Sequence, residues 1–171
     1  MDDNKIIIEP DEDNIEESQS KKNMLRVLAF KLGDETYCVE IHQVKTVVKP
    51  GQISRVPNTP EFVLGIMNLR GEVLSIIDIR YFFGLEANQK PKDLRVLVTD
   101  AAGANTGIMV DGINEAIDID PSMVQPPLAT LKTKTVEYTK GQIQIGDDIL
   151  ILLDLEKILR SEDIDRLRKG E

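Results

Sequence analysis

The chain has 171 residues, a net charge of −9 at neutral pH and one cysteine. A chain of this length buries about 70% of the surface that its unfolded form exposes, so it needs no disulfide or metal ion to fold. The negative charge disfavours nonspecific binding to nucleic acid or to an anionic membrane, and no apolar run is long enough to span a bilayer or to act as a signal peptide. We therefore expect a cytoplasmic, soluble chain, without direct membrane insertion, whose partners are other proteins.

Residues 1–23 carry much of this charge, with eight acidic residues against three lysines. Because the segment has almost no aromatic content, it cannot bury enough apolar surface to offset the entropy lost on ordering. We predict a disordered acidic tail. The alternative, an acidic arm that docks on a partner, is favoured only by Ile6–Ile8.

Short apolar runs separated by turn residues follow the tail. Leu25–Leu32 and Thr36–Val39 flank Gly33-Asp34, a pattern typical of a β-hairpin. Val44–Val48 and Ile53–Val56 are further short strand candidates. The folded part of the chain is therefore expected to begin with a hairpin and two short strands.

A second hairpin is predicted after an interruption by two prolines. Proline cannot donate to a β-ladder, so Pro57–Pro60 indicates a loop or a sheet edge. The apolar run Phe62–Leu69 comes next, and the turn residues Arg70–Glu72 separate it from Val73–Ile77. The short turn predicts that these two runs pair as neighbouring strands.

A short helix is predicted directly after this hairpin. Asp78 stands at the N-cap position of Ile79–Phe83, and Gly84 would end the helix. Strands about every eight to twelve residues, with little helix, indicate small β-barrels.

The chain contains an internal repeat. Gly65–Ile79 and Gly141–Leu155 align without a gap, and their aspartates, Asp78 and Asp154, coincide. A weaker echo relates Val39–Val48 to Val110–Ile117. Two lobes of one design explain such a repeat.

The obvious divider between the lobes is the polar stretch Glu86–Lys92, which contains Pro91. This division predicts a first lobe at about residues 24–86 and a second at about 92–160. Beyond them, residues 161–171 are expected to form a C-terminal helical tail that Ser161 caps.

Arg70 distinguishes the first copy of the repeat from the second. Gly146 and Asp147 occupy the matching turn, so the fold does not require the arginine. One interpretation is an ordinary solvated turn charge. The other is an anchor for a partner's carboxylate or carbonyl groups, beside Asn68 on an otherwise aliphatic hairpin.

The segment around Arg70, NLRGEVLSIIDIR, resembles the hallmark of the CheW family of bacterial chemotaxis coupling proteins. The likeness extends over Phe62–Gly84 and includes Gly33–Val48, Val110–Ile117 and Thr135–Leu159. It therefore covers about Leu25–Leu159. Two departures are visible, because Ser75 stands where the family often has proline and Thr46 where an acidic residue is common.

The resemblance implies a mostly β fold of two SH3-like five-stranded β-barrel subdomains with short helices and a C-terminal helix. It also implies a non-catalytic, stand-alone adaptor that couples chemoreceptors to the regulatory domain of the histidine kinase CheA. Such a protein would work in the cytoplasm at membrane-associated receptor arrays, without a cofactor. A single-partner binding module in another two-component signalling pathway is the alternative.

Carried over by position, the family's two binding surfaces fall on different lobes. The receptor tip, a helical hairpin, would occupy a groove lined by Val44, Thr46, Leu64, Gly65, Asn68 and Arg70. The kinase would contact Val96, Ile113 and Ala116. For Val44 and Ile113, the alternative is a place in the barrel core.

An enzymatic function has weak support in the sequence. Cys38 and His42 could form a nucleophile and base or half a metal site, but Cys38 lies in a predicted strand, where free cysteine is typically core, and further ligands are lacking. Gly103–Gly107 has no lysine and no following helix, so it indicates a hairpin loop rather than a phosphate site. Asp78 and Asp154 are interpreted as helix caps, not as a catalytic pair.

Overall fold

The computed structural model describes residues 23–85, 92–100, 105–127 and 133–161. The predicted acidic tail up to Lys22, most of the divider at 86–92 and the C-terminal tail beyond Ser161 lie outside the described residues, as do residues 101–104 of the predicted glycine-bearing loop.

Within these ranges the chain forms twelve strands and three short α-helices. The strands are β1 (Leu25–Leu32), β2 (Glu35–Glu40), β3 (Val44–Val48), β4 (Ile53–Ser54), β5 (Val63–Leu69), β6 (Glu72–Ile77), β7 (Arg95–Thr99), β8 (Thr106–Val110), β9 (Gly112–Ile119), β10 (Val124–Gln125), β11 (Thr139–Ile145) and β12 (Asp148–Leu153). The helices are α1 (Arg80–Phe83), α2 (Thr133–Glu137) and α3 (Leu155–Leu159). The predicted hairpins and the first short helix are thus confirmed, with ends shifted by at most one residue.

The strands form two six-stranded sheets. The sheet β3-β7-β8-β6-β5-β4 is called barrel 1, and the sheet β10-β11-β12-β2-β1-β9 is called barrel 2. Each sheet curls around its own apolar cluster, to which all six of its strands contribute. The mostly β fold with two subdomains is confirmed, but the predicted five strands become six because the two-residue strands β4 and β10 join the sheet edges.

The two halves of the chain exchange a hairpin. β1 and β2 belong to barrel 2, whereas β7 and β8 belong to barrel 1, where β6 pairs with β8 in parallel. The matching parallel pair in barrel 2 is β12 with β2. The predicted lobes at about 24–86 and 92–160 therefore do not each hold a whole barrel. The sequence repeat marks two equivalent halves, but it does not reveal which hairpin pairs with which half.

A third apolar cluster lies between the barrels. Because successive strand residues face opposite sides, β1 directs Val27 and Ala29 into barrel 2 and Phe30 into this central core. Tyr37 stacks between Phe30 and Phe83, with ring centroids 6.3 Å and 5.5 Å away. The exchanged hairpins are buried on both faces, which explains their nearly continuous apolar sequences.

A buried ion cluster joins the two barrels. The Arg80 guanidinium lies 2.9 Å from Asp78 Oδ2 and 3.3 Å from Asp111 Oδ1. Asp111 Oδ2 accepts a hydrogen bond of 2.6 Å from the backbone N–H of Gly33, at the tip of the β1–β2 hairpin. All three charged side chains are at most 15% exposed. The hydrogen bond to Asp78 raises the pKa of Arg80, so the guanidinium keeps its charge although it is buried.

The two repeated aspartates have different roles. Asp154 Oδ1 accepts from the N–H of Lys157 at 3.1 Å, which confirms its predicted function as the N-cap of α3. Asp78 accepts one N–H bond from Arg80, but it also binds the guanidinium through both oxygens. The interpretation of Asp78 as a simple cap is therefore wrong, because its main partner is the buried Arg80 side chain.

Candidate functional site

The tip of the β5–β6 hairpin holds Arg70 in an unusual backbone conformation. Leu69 pairs with Glu72, which leaves a two-residue turn of Arg70 and Gly71. Their φ angles are 51° and 86°. Two positive φ angles define a type I′ turn, which favours asparagine or glycine at its first position. An arginine there costs about 1–2 kcal/mol relative to a residue that tolerates the left-handed region.

Nothing within the part of the chain that the structure describes compensates for this cost. The Arg70 side chain is exposed, and its guanidinium makes neither a hydrogen bond nor an ion pair with a described residue. Asn68 Oδ1 instead accepts from the N–H of Gly71 at 3.0 Å and so fixes the turn. The hairpin therefore presents, on a fixed turn, an exposed cation without a partner among the described residues.

An open cleft of about 370 Å³ lies beside this tip on the outer face of barrel 1. We call it the hairpin cleft, and it is lined by Gln52, Ser54, Ile66, Met67, Asn68 and Val73. Val73 pairs with Asn68 across the hairpin and is 63% exposed. An exposed aliphatic group beside an unpaired cation suits an amphipathic partner. Val73 was predicted only as a strand residue, although its position next to the turn was a signal of this exposed placement.

Leu64 and Gly65 shape the wall of barrel 1 rather than its exposed surface. A methyl group built at Gly65 would lie 2.3 Å from the Ser54 carbonyl oxygen, and the φ angle of Gly65 is 145°. Only glycine lets β4 lie this close to β5. Leu64 is half-buried against the interior cluster of barrel 1. Leu64 and Gly65, which were predicted to lie near the receptor groove, therefore support the barrel wall instead of forming its exposed surface.

Val44 and Thr46 lie on β3, at the opposite edge of the sheet from β4 and β5. Thr46 is exposed, whereas Val44 is half-buried against the central core, as its alternative interpretation expected. Asn105 links β3 to the hairpin, because its side chain bonds Lys45 Nζ at 3.1 Å and Glu72 Oε2 at 3.3 Å. The structure therefore brings Asn68 and Arg70 together, but it places Val44 and Thr46 on a separate strand.

The residues predicted to contact the kinase do not share one surface. Ala116 is exposed on β9, the edge strand of barrel 2, and Ile113 on the same strand is half-buried against the central core. Val96 has no exposed surface and points into barrel 1. Its side chain cannot touch a partner, so Val96 is corrected to a core residue. We call residues 113–116 the β9 edge.

Cys38 and His42 do not form a reactive pair. Cys38 points into the interior of barrel 2, where burial raises the pKa of its thiol to about 12. His42 is exposed in the 3₁₀ turn Ile41–Gln43. The prediction that Cys38 is a core residue is confirmed.

No helix among the described residues is long and apolar enough to cross a membrane.

Comparison with known proteins shows one consistent family. A family model described as a CheW-like domain matches residues 26–163. The chain is 35% identical over 144 residues to the chemotaxis protein CheW of Helicobacter pylori, covering 84% of this chain and 87% of the relative. For the chemotaxis protein CheW of Klebsiella aerogenes, the identity is 34% over 137 residues, covering 80% and 82%. The crystal structure of the scaffolding protein TtCheW from Thermoanaerobacter tengcongensis matches with a TM-score of 0.72 and 32% identity, over 82% of this chain and 95% of that one.

Proposed function

The chain belongs to the CheW family of chemotaxis scaffold proteins, which is non-catalytic, and we propose that it couples the cytoplasmic tips of chemoreceptors to the regulatory domain of the histidine kinase CheA. In this proposal the receptor binds at the β5–β6 hairpin and the kinase binds at the β9 edge. The chain would act in the cytoplasm at membrane-associated receptor arrays. It would require neither a cofactor nor nucleic acid.

The observation that carries the receptor site is the strained, unpaired Arg70. Arg70 costs backbone energy and forms no hydrogen bond or ion pair with a described residue, so a binding role explains its presence better than a role in the fold. The hairpin cleft beside it supplies apolar surface through Val73 and Ile66. A receptor helix could lay its apolar stripe on this surface while Arg70 binds polar groups beside the stripe.

The kinase site is supported by a different surface on the other barrel. Ala116 and the neighbouring residues of the β9 edge belong to barrel 2, whereas Arg70 belongs to barrel 1. An adaptor that holds two proteins at once needs two surfaces that do not overlap. The exposed edge strand also offers unpaired backbone groups to a partner's strand.

A bridging assay tests the proposal directly. A receptor cytoplasmic fragment is immobilised, and the purified kinase regulatory domain is added with and without the full chain. We expect the kinase domain to be retained only when the chain is present. If the receptor retains the chain but the mixture never retains the kinase domain, coupling is wrong and the single-partner module is the better description.

A further inference from the structure

Barrel 2 carries a second cleft, between the tips of its β1–β2 and β11–β12 hairpins. Its volume is about 370 Å³. We call it the acidic cleft, and its polar and apolar lining includes Asp34, Glu35, Gln142, Asp147, Asp148 and Ile149. It lies in a different sheet from Arg70 and the hairpin cleft.

The cleft opens because two parallel strands separate. β2 and β12 pair only through Ile151 with Tyr37 and Leu152 with Cys38, so their preceding residues diverge towards the two tips. At the equivalent place in barrel 1, Asn105 bridges the gap by donating to Glu72 at 3.3 Å. No such bridge spans the described residues of the acidic cleft, which leaves it accessible.

The charges in the acidic cleft lack cationic partners. The carboxylates of Asp34, Asp147 and Asp148 form no ion pair or hydrogen bond with any described residue, and the lining contains no lysine or arginine. Glu35 accepts a hydrogen bond from the Tyr37 hydroxyl at 2.5 Å but has no cationic partner either. The site therefore carries an excess of negative charge that a cation would offset.

Gln142 provides an independent sign that the cleft can bind a ligand. Its side chain forms part of the cleft wall, yet the residue is only 8% exposed and its Oε1 accepts no hydrogen bond within the described chain. A buried acceptor without a donor destabilises the chain. A ligand with several N–H donors would satisfy it.

The cleft also has an aliphatic wall. Ile149 is 45% exposed and Ile151 lies beside it on the same face of β12. A bare metal ion makes no use of such a wall, and no described group of three or more acidic, histidine or cysteine residues is arranged to hold one. A long side chain with a cationic end matches both features.

We propose that the acidic cleft binds an arginine side chain from a protein partner. The guanidinium offers five N–H donors in a plane, enough for two carboxylates and the Gln142 carbonyl, while its alkyl stem covers Ile149. Lysine has three donors around one point and fits this spread of acceptors less well.

The position of the cleft also indicates which partner supplies the arginine. Thr36 and Asp148 line both the acidic cleft and a neighbouring cleft that contains Asn114 and Glu115 of the β9 edge. The arginine therefore belongs to the protein that docks on the β9 edge. This last step rests on the proposed function, whereas arginine binding itself does not.

The test is an NMR titration. A blocked Gly-Arg-Gly peptide is added to the isotopically labelled full chain, and the amide chemical shifts of the chain are measured. We expect saturable shifts at the two hairpin tips and at the Gln142 side chain, with a Kd on the order of 10 mM. The same peptide with citrulline, which keeps the shape and loses the charge, should bind at least about fivefold more weakly. Equal binding of both peptides, or no localised shifts, would overturn the proposal.

Three variants distinguish binding in the acidic cleft from nonspecific attraction of the peptide to the negatively charged chain. Asp147→Asn with Asp148→Asn should weaken arginine binding at least about fivefold, whereas Glu61→Gln, an exposed acid outside the cleft, should leave it unchanged. Gln142→Leu should weaken binding about threefold while keeping or raising the melting temperature, since it removes an unsatisfied acceptor.

Saturation of the same amides by calcium chloride below about 1 mM would instead identify a metal site and contradict the assignment. Because no kinase enters this assay, its failure is distinct from a failure of the coupling proposal.

Discussion

The two repeated hairpins share the positions that build a barrel and differ at the positions that face solvent. Gly65 and Gly141 both lie under a two-residue edge strand, where an added methyl group would meet a carbonyl oxygen at 2.3 Å and 2.5 Å. At the tips, however, β5–β6 carries Arg70 where β11–β12 carries Gly146, and both residues have a positive φ angle. The two copies thus share the residues that shape the barrel, whereas the residue at the exposed tip differs between them.

The two hairpins also differ in the charged residues next to their tips. Val73 and Ile149 occupy matching positions and are both exposed, at 63% and 45%. In barrel 1 the exposed aliphatic side chain lies beside a cation, and in barrel 2 it lies beside Asp147 and Asp148. The hairpin cleft has no charged lining residue and lies next to the Arg70 tip, whereas the acidic cleft is lined by four acidic residues. Two clefts of different chemistry on one scaffold suit an adaptor with two different partners.

The largest difference between the copies should appear when their aspartates are removed. Asp78→Ala leaves the buried Arg80 with one carboxylate fewer, so we expect the free energy of unfolding to fall by about 3 kcal/mol. Asp154→Ala, the matched control, removes only a helix cap and should cost about 1 kcal/mol. Urea unfolding of both variants measures this. Equal losses would contradict the distinct role of Asp78.

A smaller effect is expected at the shared glycines. Gly65→Ala should lower the free energy of unfolding by about 2 kcal/mol, because it combines a positive φ angle with a contact to the Ser54 backbone. Gly141→Ala should cost somewhat less, since only the contact applies. Gly51→Ala serves as the control, because its nearest atoms are 3.9 Å away. A Gly65→Ala variant as stable as this control would show that β4 does not constrain β5.

The smallest effect on stability should follow from exchanging the tip residues. Arg70→Asn places a residue favoured in type I′ turns at a strained position, so we expect a gain of about 1 kcal/mol in the free energy of unfolding. Gly146→Arg imposes the same strain on the second hairpin and should cost about as much. Thermal or urea denaturation of both variants measures whether the free energy of unfolding rises for Arg70→Asn and falls for Gly146→Arg. If Arg70→Asn destabilises the chain, Arg70 has an internal partner and the account of the tip is wrong.

Local patterns in the sequence predicted the first six strands and the repeat, because hairpins and turns depend on neighbouring residues. For Arg70 these patterns left a solvated turn charge and a binding anchor as equal alternatives. They did not predict the exchange of β1–β2 and β7–β8, since the parallel pairs of β2 with β12 and of β6 with β8 join segments that are distant in the chain. The same limit explains Asp78, which the sequence pattern indicated as a helix cap but which binds Arg80, a side chain buried against Asp111. It also explains Val96, which belongs to a strand buried on both faces.

The central claim is that the two barrels bind different partners through separate surfaces. Arg70→Asn and Ala116→Arg are suitable variants, because both positions are exposed and neither change disturbs the core. Ile113→Glu is less informative, since Ile113 packs against the central core and its substitution would also destabilise the fold.

Isothermal titration of each variant with the receptor fragment and with the kinase regulatory domain is the decisive measurement. We expect Arg70→Asn, although more stable, to bind the receptor about thirtyfold more weakly and the kinase normally. Ala116→Arg should show the reverse. If either folded variant loses both partners equally, or if Arg70→Asn binds the receptor with unchanged affinity, two-surface coupling through these hairpin and edge positions is wrong.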